Sequence, residues 1–418
     1  MKYKDGWIET TLAEISIDNK GSYGIAASAV DYSDDLYTYL RITDISEDGL
    51  LNTDGLKSLT DAKAENYILQ PNDIVFARTG NSTGKSYFYE PKDGTLVYAG
   101  FLIKFSLDPQ RVNPKFIRYY TLSREYKGWV DSFSTGSTRG NINAKTYGDM
   151  KITLPPRDQQ NFLVKILDSL EEKMNLNNTI NKKLEEIAQA IFKQWFVDFE
   201  FPNEEGKPYK SSGGAMLDSE LGMIPEGWEV KDLKSVGFLA GKNKDVSKLN
   251  ESVPYIGLEH MPRGSIALTS WESSDKISST KTEFKKGDIL FGKLRPYFKK
   301  VGIAPINGVC STDVLVLNSI KKEFYSYLTC LVSQDKFIDY CNATSTGTRM
   351  PRTGWKQMST YKIVIPPIYI AEQFNVILKD SLEFINNSIH QNNHLKGLRD
   401  TLLPKLMSGE IRVPLDKE

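Results

Sequence analysis

Ser134-Thr135-Gly136-Ser137-Thr138-Arg139-Gly140-Asn141 opens a block that closes on Lys151-Ile152-Thr153-Leu154-Pro155-Pro156, and the chain later writes the same block again. The second copy opens on Ser345-Thr346-Gly347-Thr348-Arg349 and closes on Lys362-Ile363-Val364-Ile365-Pro366-Pro367. Both copies have the same length, end in a lysine-led, mainly apolar run before the double proline, and lead into a long helical pattern. Other landmarks repeat in step: Gly6-Trp7 is echoed by Gly227-Trp228, and Asn72-Asp73-Ile74-Val75-Phe76 by Gly287-Asp288-Ile289-Leu290-Phe291. A repeat of this length is a duplicated globular domain with its trailing helix rather than a solenoid unit. Two similar but divergent halves suit two similar but different targets, or one target in two parts.

Downstream of each double proline the character changes. From Arg157 to Phe201 there is neither glycine nor proline, and Leu163, Ile166, Leu170, Ile180, Leu184, Ile187 and Ile191 recur by threes and fours. That spacing predicts a helix of roughly 45 residues, about 65 Å long, with Asp158 as its N-cap or first-turn acid. Asn177 falls in phase with Leu170 and Leu184, where a polar residue fixes helix register at a cost in stability. A second helix is predicted from about Ile370, carrying Phe374, Leu378, Leu382, Ile385, Ile389, Leu395, Leu398 and Leu402, with Gly397 and Pro404 weakening its end and Gly409 as its stop. The segments before the helices alternate short apolar runs with Asp48-Gly49, Asp54-Gly55 and Asp93-Gly94 turns. They read as mixed α+β, with strands at Ile74 to Ala77 and Leu96 to Tyr98.

The division that follows is residues 1–156 as a first globular domain, 157–201 as a first long helix and 202–222 as a polar, glycine-rich linker. Residues 223–367 form a second globular domain, 368–409 a second long helix and 410–418 a tail. The expected fold class is α+β: two similar globular domains held apart by two long antiparallel helices, with an internal pseudo-twofold repeat.

The 418 residues are 40% hydrophobic, enough for more than one core. Lys and Arg total 53 against 53 Asp and Glu, so any nucleic-acid footprint has to be local. Cys310, Cys330 and Cys341 are odd in number and lack CxxC spacing, which favours reduced, buried thiols. No stretch approaches a membrane span, and the N-terminus has no apolar run. The expectation is a soluble, cytoplasmic protein with no membrane partner.

Candidate catalytic motifs fail on their own terms. Gly80-Asn81-Ser82-Thr83-Gly84-Lys85-Ser86 has three residues between its glycines where a phosphate-binding loop needs four, and a predicted strand follows where a helix is required. His390 and His394 lie one helical turn apart without an accompanying glutamate, and His260 is the only other histidine. No bound cofactor or metal is expected. Local charge is more informative. Lys293, Arg295 and Lys299 lie in a basic run interleaved with Phe291, Tyr297 and Phe298, and Thr348, Arg349 and Arg352 lie in an acid-free loop. The first half answers with Arg78, Asn81, Lys85, Ser137, Thr138, Arg139 and Asn141. Basic residues in such loops suit phosphates, while Arg and Asn can read base edges bidentately. These thirteen residues are the candidate DNA-binding set; the competing reading is a solvated surface.

Pro225-Glu226-Gly227-Trp228-Glu229-Val230, Asp73-Ile74-Val75-Phe76 with Arg78 and Gly80, and the Leu154-Pro155-Pro156 and Ile365-Pro366-Pro367 junctions match one family. So do Gln194-Trp195-Phe196-Val197-Asp198-Phe199, Pro208-Tyr209-Lys210-Ser211-Ser212-Gly213-Gly214 and Leu402-Leu403-Pro404-Lys405-Leu406-Met407-Ser408-Gly409-Glu410-Ile411. In their order over the full length, these motifs resemble the DNA-specificity subunit of type I restriction-modification systems. The resemblance implies two target recognition domains reading halves of a bipartite, asymmetric site in double-stranded DNA, spaced by two antiparallel helices. It also implies docking of two methylation subunits, with S-adenosylmethionine, and two restriction and translocation subunits, with ATP and Mg2+. The specificity subunit itself would be non-catalytic. Two other readings stay open: a stand-alone nuclease or methyltransferase, and a coiled-coil scaffold that reads no DNA sequence.

Overall fold

Ile8–Thr11 pairs antiparallel with Lys151–Leu154, Ile8 opposite Leu154, which returns the opening Gly6-Trp7 to the exit at Pro155-Pro156. Gly6 takes φ 81°, and a Cβ there would lie 3.1 Å from the Pro156 ring, so this close crossing requires glycine. Glu229–Asp232 repeats the pairing with Lys362–Ile365, and Gly227 repeats the backbone at φ 82°. These are the described parts of a computed structural model covering residues 6–53, 55–133, 140–246, 252–277, 279–347 and 349–411.

Each half then builds two further sheets. In the first, Ser22–Tyr23, Leu102–Ser106, Asp73–Ala77 and Ser86–Phe88 lie side by side in that order. In the second, Gly237–Leu239, Val314–Ser319, Ile289–Gly292 and Val301–Ile303 repeat the order. The central strands read as continuous apolar runs because both faces are covered: every residue of Asp73–Ala77 and of Ile289–Gly292 is buried. A second sheet of four strands in one half and five in the other completes each domain, with one parallel pair in each. The strands expected at Ile74–Ala77 and Leu96–Tyr98 are present as Asp73–Ala77 and Leu96–Tyr98.

The long helices are Arg157–Phe196 and Ile368–Met407, 40 residues each. The first stops five residues short of the expected Phe201. Val197 and Asp198 N–H both turn back to the Lys193 carbonyl, Glu200 N–H bonds Gln194 O, and Phe199 enters the left-handed region at φ 59°. A phenylalanine there is not a sequence signal for a helix stop. The second helix runs through both Gly397 and Pro404; proline near the end removes a single intrahelical donor, and Ser408 N–H still bonds Pro404 O.

The chain separates into two compact units, one reaching from the N-terminus to Glu172 and resuming at Lys396, the other spanning Lys173–Leu395. This differs from the division read in the sequence, since both helices are shared out rather than set apart. Leu163 and Leu167 join Leu403, Leu406 and Met407 in the first core, among Phe76, Phe105, Phe116, Tyr126 and Tyr147. Phe192, Trp195 and Phe196 join Phe374 and Leu378 in the second, around Trp228, Tyr327 and Phe337. Within each unit the helices run antiparallel: Glu171 meets Arg399 in one, while Asn177 meets Asn392 and Phe192 meets Phe374 in the other. Trp195-Phe196 is thus core. The Phe196 ring packs edge-on against Tyr327 and Phe374 at 4.9 and 4.8 Å, and truncating such a ring costs about 3–5 kcal/mol.

The stretch 202–222, read as a linker, carries order of its own in the second unit. Tyr209 stacks on Phe201 at 4.6 Å, its phenol donates to Ala215 O, and Met216–Leu217 pairs with Ile224–Pro225. The three cysteines are buried and free, and burial pushes each thiol up to about 12. Among the described residues no helix is long and apolar enough to cross a membrane.

Candidate nucleic-acid interface

The central strand of each half delivers a basic residue to its end, and a second loop is stitched to that residue. In the first unit Arg78 N–H donates to Phe101 O at 3.1 Å, and its carbonyl accepts from Ile142 N–H at 3.0 Å. In the second, Lys293 N–H donates to Asp313 O at 2.9 Å, and its carbonyl accepts from Thr353 N–H at 3.0 Å. Asn141 and Arg352 therefore occupy the same place, one residue before the anchoring amide. The short helices Ala144–Gly148 and Trp355–Met358 follow in both units.

Around Arg78 the first unit gathers amides, hydroxyls and one ring. Asn81 and Asn141 are exposed. Thr83 Oγ1 lies 2.8 Å from Gly80 O and 2.9 Å from Gly140 O, tying the 80–85 turn to the loop that carries Asn141. The Arg78 guanidinium lies 5.3 Å from the centre of the Tyr23 ring, and its buried Nε has no partner among the described residues. Tyr23 OH accepts from Ala144 N–H at 3.1 Å. Lys85 is turned elsewhere: its ammonium pairs with Glu47 at 2.8 Å and reaches Ile45 O. Ser137, Thr138 and Arg139 lie outside the described residues.

The second unit gathers charge instead. Leu294 bridges Arg352, Arg295 N–H donates to Pro351 O at 2.7 Å, and Thr346 pairs with Arg352 on both sides. This seats the basic turn 293–300 against the hairpin 346–352, at whose tip Arg349 and Met350 are exposed. The Arg352 guanidinium pairs with Asp313 at 2.9 Å, and the Lys299 ammonium with Asp335 at 2.5 Å. Thr348 lies outside the described residues. Arg263, absent from the candidate set, stacks over the Phe298 ring at 4.1 Å, with Arg295 at 6.0 Å from the same ring. Neither Tyr23 nor Arg263 carries a local signal, because each meets its partner only through the fold. Arg295 and Lys299 both sit in the left-handed backbone region, at φ 51° and 50°, a conformation costing about 1–2 kcal/mol per non-glycine residue.

Among the described residues one group of acids with a histidine draws together. Glu259, His260 and Glu272 bring ligand atoms within 4.8 Å of one another. His260 Nδ1 already accepts Gly257 N–H at 2.9 Å, so that lone pair is used. His390 Nε2 lies 3.1 Å from Pro305 O while His394 is exposed, so the pair does not converge. The Gly80–Lys85 turn leads into the strand Ser86–Phe88, not a helix, which removes the phosphate-loop geometry.

Fold and site together define a duplicated α+β recognition protein, in which two copies of one domain each present a strand-end basic residue braced by a second loop. The chain belongs to the family described as type I restriction modification DNA specificity domain, matched over residues 5–186 and again over 225–396. It is 29% identical over 314 residues to the specificity subunit of the type I restriction enzyme MjaIX of Methanocaldococcus jannaschii, covering 72% of this chain and 69% of that one. It is 24% identical over 369 residues to the EcoDI specificity subunit of Escherichia coli, covering 81% and 78%. The crystal structure of a type I restriction-modification S subunit from M. genitalium shares the fold with a TM-score of 0.53 at 15% identity, covering 96% of each chain. Two DNA specificity domains on one chain fit the reading of a bipartite target.

Proposed function

We propose that the chain reads a bipartite, asymmetric target in double-stranded DNA, one half-site per domain, and directs the methylation and restriction subunits of a type I complex to it. The repeated loop pair carries this reading: Ile142 N–H on Arg78 O in one unit, Thr353 N–H on Lys293 O in the other. The backbone anchoring is common to both while the side chains on it differ, amides and hydroxyls around Arg78 against further cations around Lys293. A shared scaffold with different side chains is what two unlike half-sites require. Contacts to phosphates would fix register, and Arg or Asn on base edges would supply sequence.

In this reading the chain performs no catalysis. It acts in the cytoplasm, docking two methylation subunits that hold S-adenosylmethionine and two restriction and translocation subunits that use ATP and Mg2+. Methylome sequencing of cells with and without the gene for this chain tests the proposal. A bipartite methyl-adenine motif that vanishes with the chain is the expected result. Absence of any chain-dependent motif, with no sequence-selective duplex binding by the assembled complex, would leave the non-catalytic scaffold instead.

A further inference from the structure

The turns after the two central strands are the same turn. Ala77 N–H bonds Lys85 O at 2.8 Å, as Gly292 N–H bonds Lys300 O at 2.8 Å; Thr83 N–H bonds Gly80 O at 3.1 Å, as Phe298 N–H bonds Arg295 O at 3.0 Å. The flanking strands keep one register, Ile74 opposite Phe88 and Ile289 opposite Ile303. Both turns enter the left-handed region twice, at matching places. The first unit uses Gly80 and Gly84, at φ 74° and 87°; the second uses Arg295 and Lys299, at φ 51° and 50°. Glycine adopts this backbone without steric penalty, whereas arginine and lysine do not. A Cβ built on Gly80 meets nothing within 4 Å, whereas one on Gly84 would run into the Val130 side chain, so the first unit's turn has room for a side chain at only one of the two places. Strained residues of this kind persist where the surrounding structure holds them, as Pro351 O holds Arg295 N–H here, and they cluster at ligand clamps.

The surroundings name the ligand. Arg263 covers one ring, Phe298, that Arg295 also faces, and Arg295 N–H on Pro351 O places the turn beside Arg349 and Arg352. The run Lys293–Lys300 contains cations and rings but no amide side chain, so it is built for charge more than for base edges. The facing acids are Asp335 on Lys299 and Asp313 on Arg352, and Glu185 and Glu186 line the same cavity as Lys299. Lys299 is 35% and Asp335 79% exposed, so solvent screens the pair on the acid's side and a phosphate can compete for the ammonium there.

We propose that Arg295 and Lys299 clamp the phosphate backbone of duplex DNA in the second unit, and that the matching turn of the first unit, glycine at both places, makes no such clamp. The proposal rests on the reading of the chain as a DNA-specificity subunit and adds to it an unequal grip by its two halves.

The test uses the full chain in its methylation complex, with a duplex carrying the methylated motif and a scrambled duplex. Arg295→Gly with Lys299→Gly should melt at or above the wild-type temperature, because the left-handed strain is relieved. Its affinity should fall at least about tenfold for both duplexes, the slope of log affinity against log salt should flatten by about one per cation removed, and the motif should stay unchanged. Arg295→Gln with Lys299→Gln, which keeps the strain and loses the charge, should lose the same affinity without melting higher. Wild-type affinity and salt slope in the glycine variant would overturn the clamp, and so would a motif altered at one base. Lower melting together with lost binding would assign the two residues to structure alone. A wild-type complex that binds neither duplex would instead remove the DNA reading, and the clamp with it.

Discussion

Arg352 divides its groups between two tasks. Its backbone closes the hairpin with Thr346, while its guanidinium pairs with Asp313 and remains half exposed. A guanidinium held at one nitrogen and half exposed keeps donors for a further partner, as a bidentate base contact requires. Arg349, at the exposed tip of the same hairpin, is the more direct candidate reader. Replacing it with alanine should cost about 1–3 kcal/mol and relax one position of the motif, whereas Lys293→Ala should weaken all sequences alike. Affinities for the motif and its single-base variants check this, and an Arg349→Ala complex unchanged in both affinity and motif would remove the assignment.

A second residue-scale expectation concerns Glu185, on the first long helix beside a cavity of about 430 Å³ also lined by Lys182, Glu186 and Lys299. Burial raises its carboxyl above the usual 4.5, although Ser265 Oγ and Ile266 N–H both donate to it. The folded state therefore holds this proton more tightly than the unfolded chain does. Stability is greatest below the unfolded value and declines as pH rises through the raised one. Glu185→Gln keeps an acceptor and removes the charge, so it should raise the unfolding free energy near pH 8 and change it little near pH 4. Denaturant titrations at both pH values decide it; a variant less stable near pH 8 would mean that the neighbouring lysines need the carboxylate.

At the scale of the element, the long helices are fixed by what they bury. Within the second unit Asn177 donates to Gln391 Oε1 and Asn392 Oδ1 at 2.8 Å each, and Asn392 donates to Asn178 at 2.8 Å. One turn further, Asn181 is 3% exposed, and neither its amide nitrogen nor its oxygen has a partner among the described residues. The two asparagines should respond with opposite sign. Asn177→Ala strands partnered amides and should cost about 1–3 kcal/mol; Asn181→Leu removes an unsatisfied group of similar volume and should stabilise by about as much. Chemical denaturation of the two variants measures both, and an Asn181→Leu chain that is less stable would reveal a bridging water at that layer. These helices were legible in sequence because one period runs through them unbroken, and Asn177 stood out by lying in phase with leucines. Their ends were less so. Phe199 turns left-handed without a glycine to announce it, and Pro404 lies within the last turns without ending them.

For the whole molecule, the duplication was legible because glycines, prolines and strand cores mark backbone that both halves share. What differs was not, since Arg263 over Phe298 and Arg78 over Tyr23 join residues far apart in the chain. Sequence spacing cannot show such pairs. The same distinction sets the last expectation. Each unit has its own core, the first around Phe76, Phe105 and Tyr147 and the second around Phe291, Phe337 and Trp228, so one set of loops can change without disturbing the other. Exchanging residues 224 to 366 for the matching domain of a relative replaces the turn 293–300 and the hairpin 346–352 and leaves Arg78, Asn81 and Asn141 in place. The donor segment has to keep the strand that pairs with Glu229–Asp232 and the buried faces that meet Phe192, Trp195 and Phe196. The methylated motif of the exchanged chain should keep one half and acquire the donor's other half. If both halves changed together, reading would be a joint property of the two domains, and the assignment of one half-site to each would be wrong.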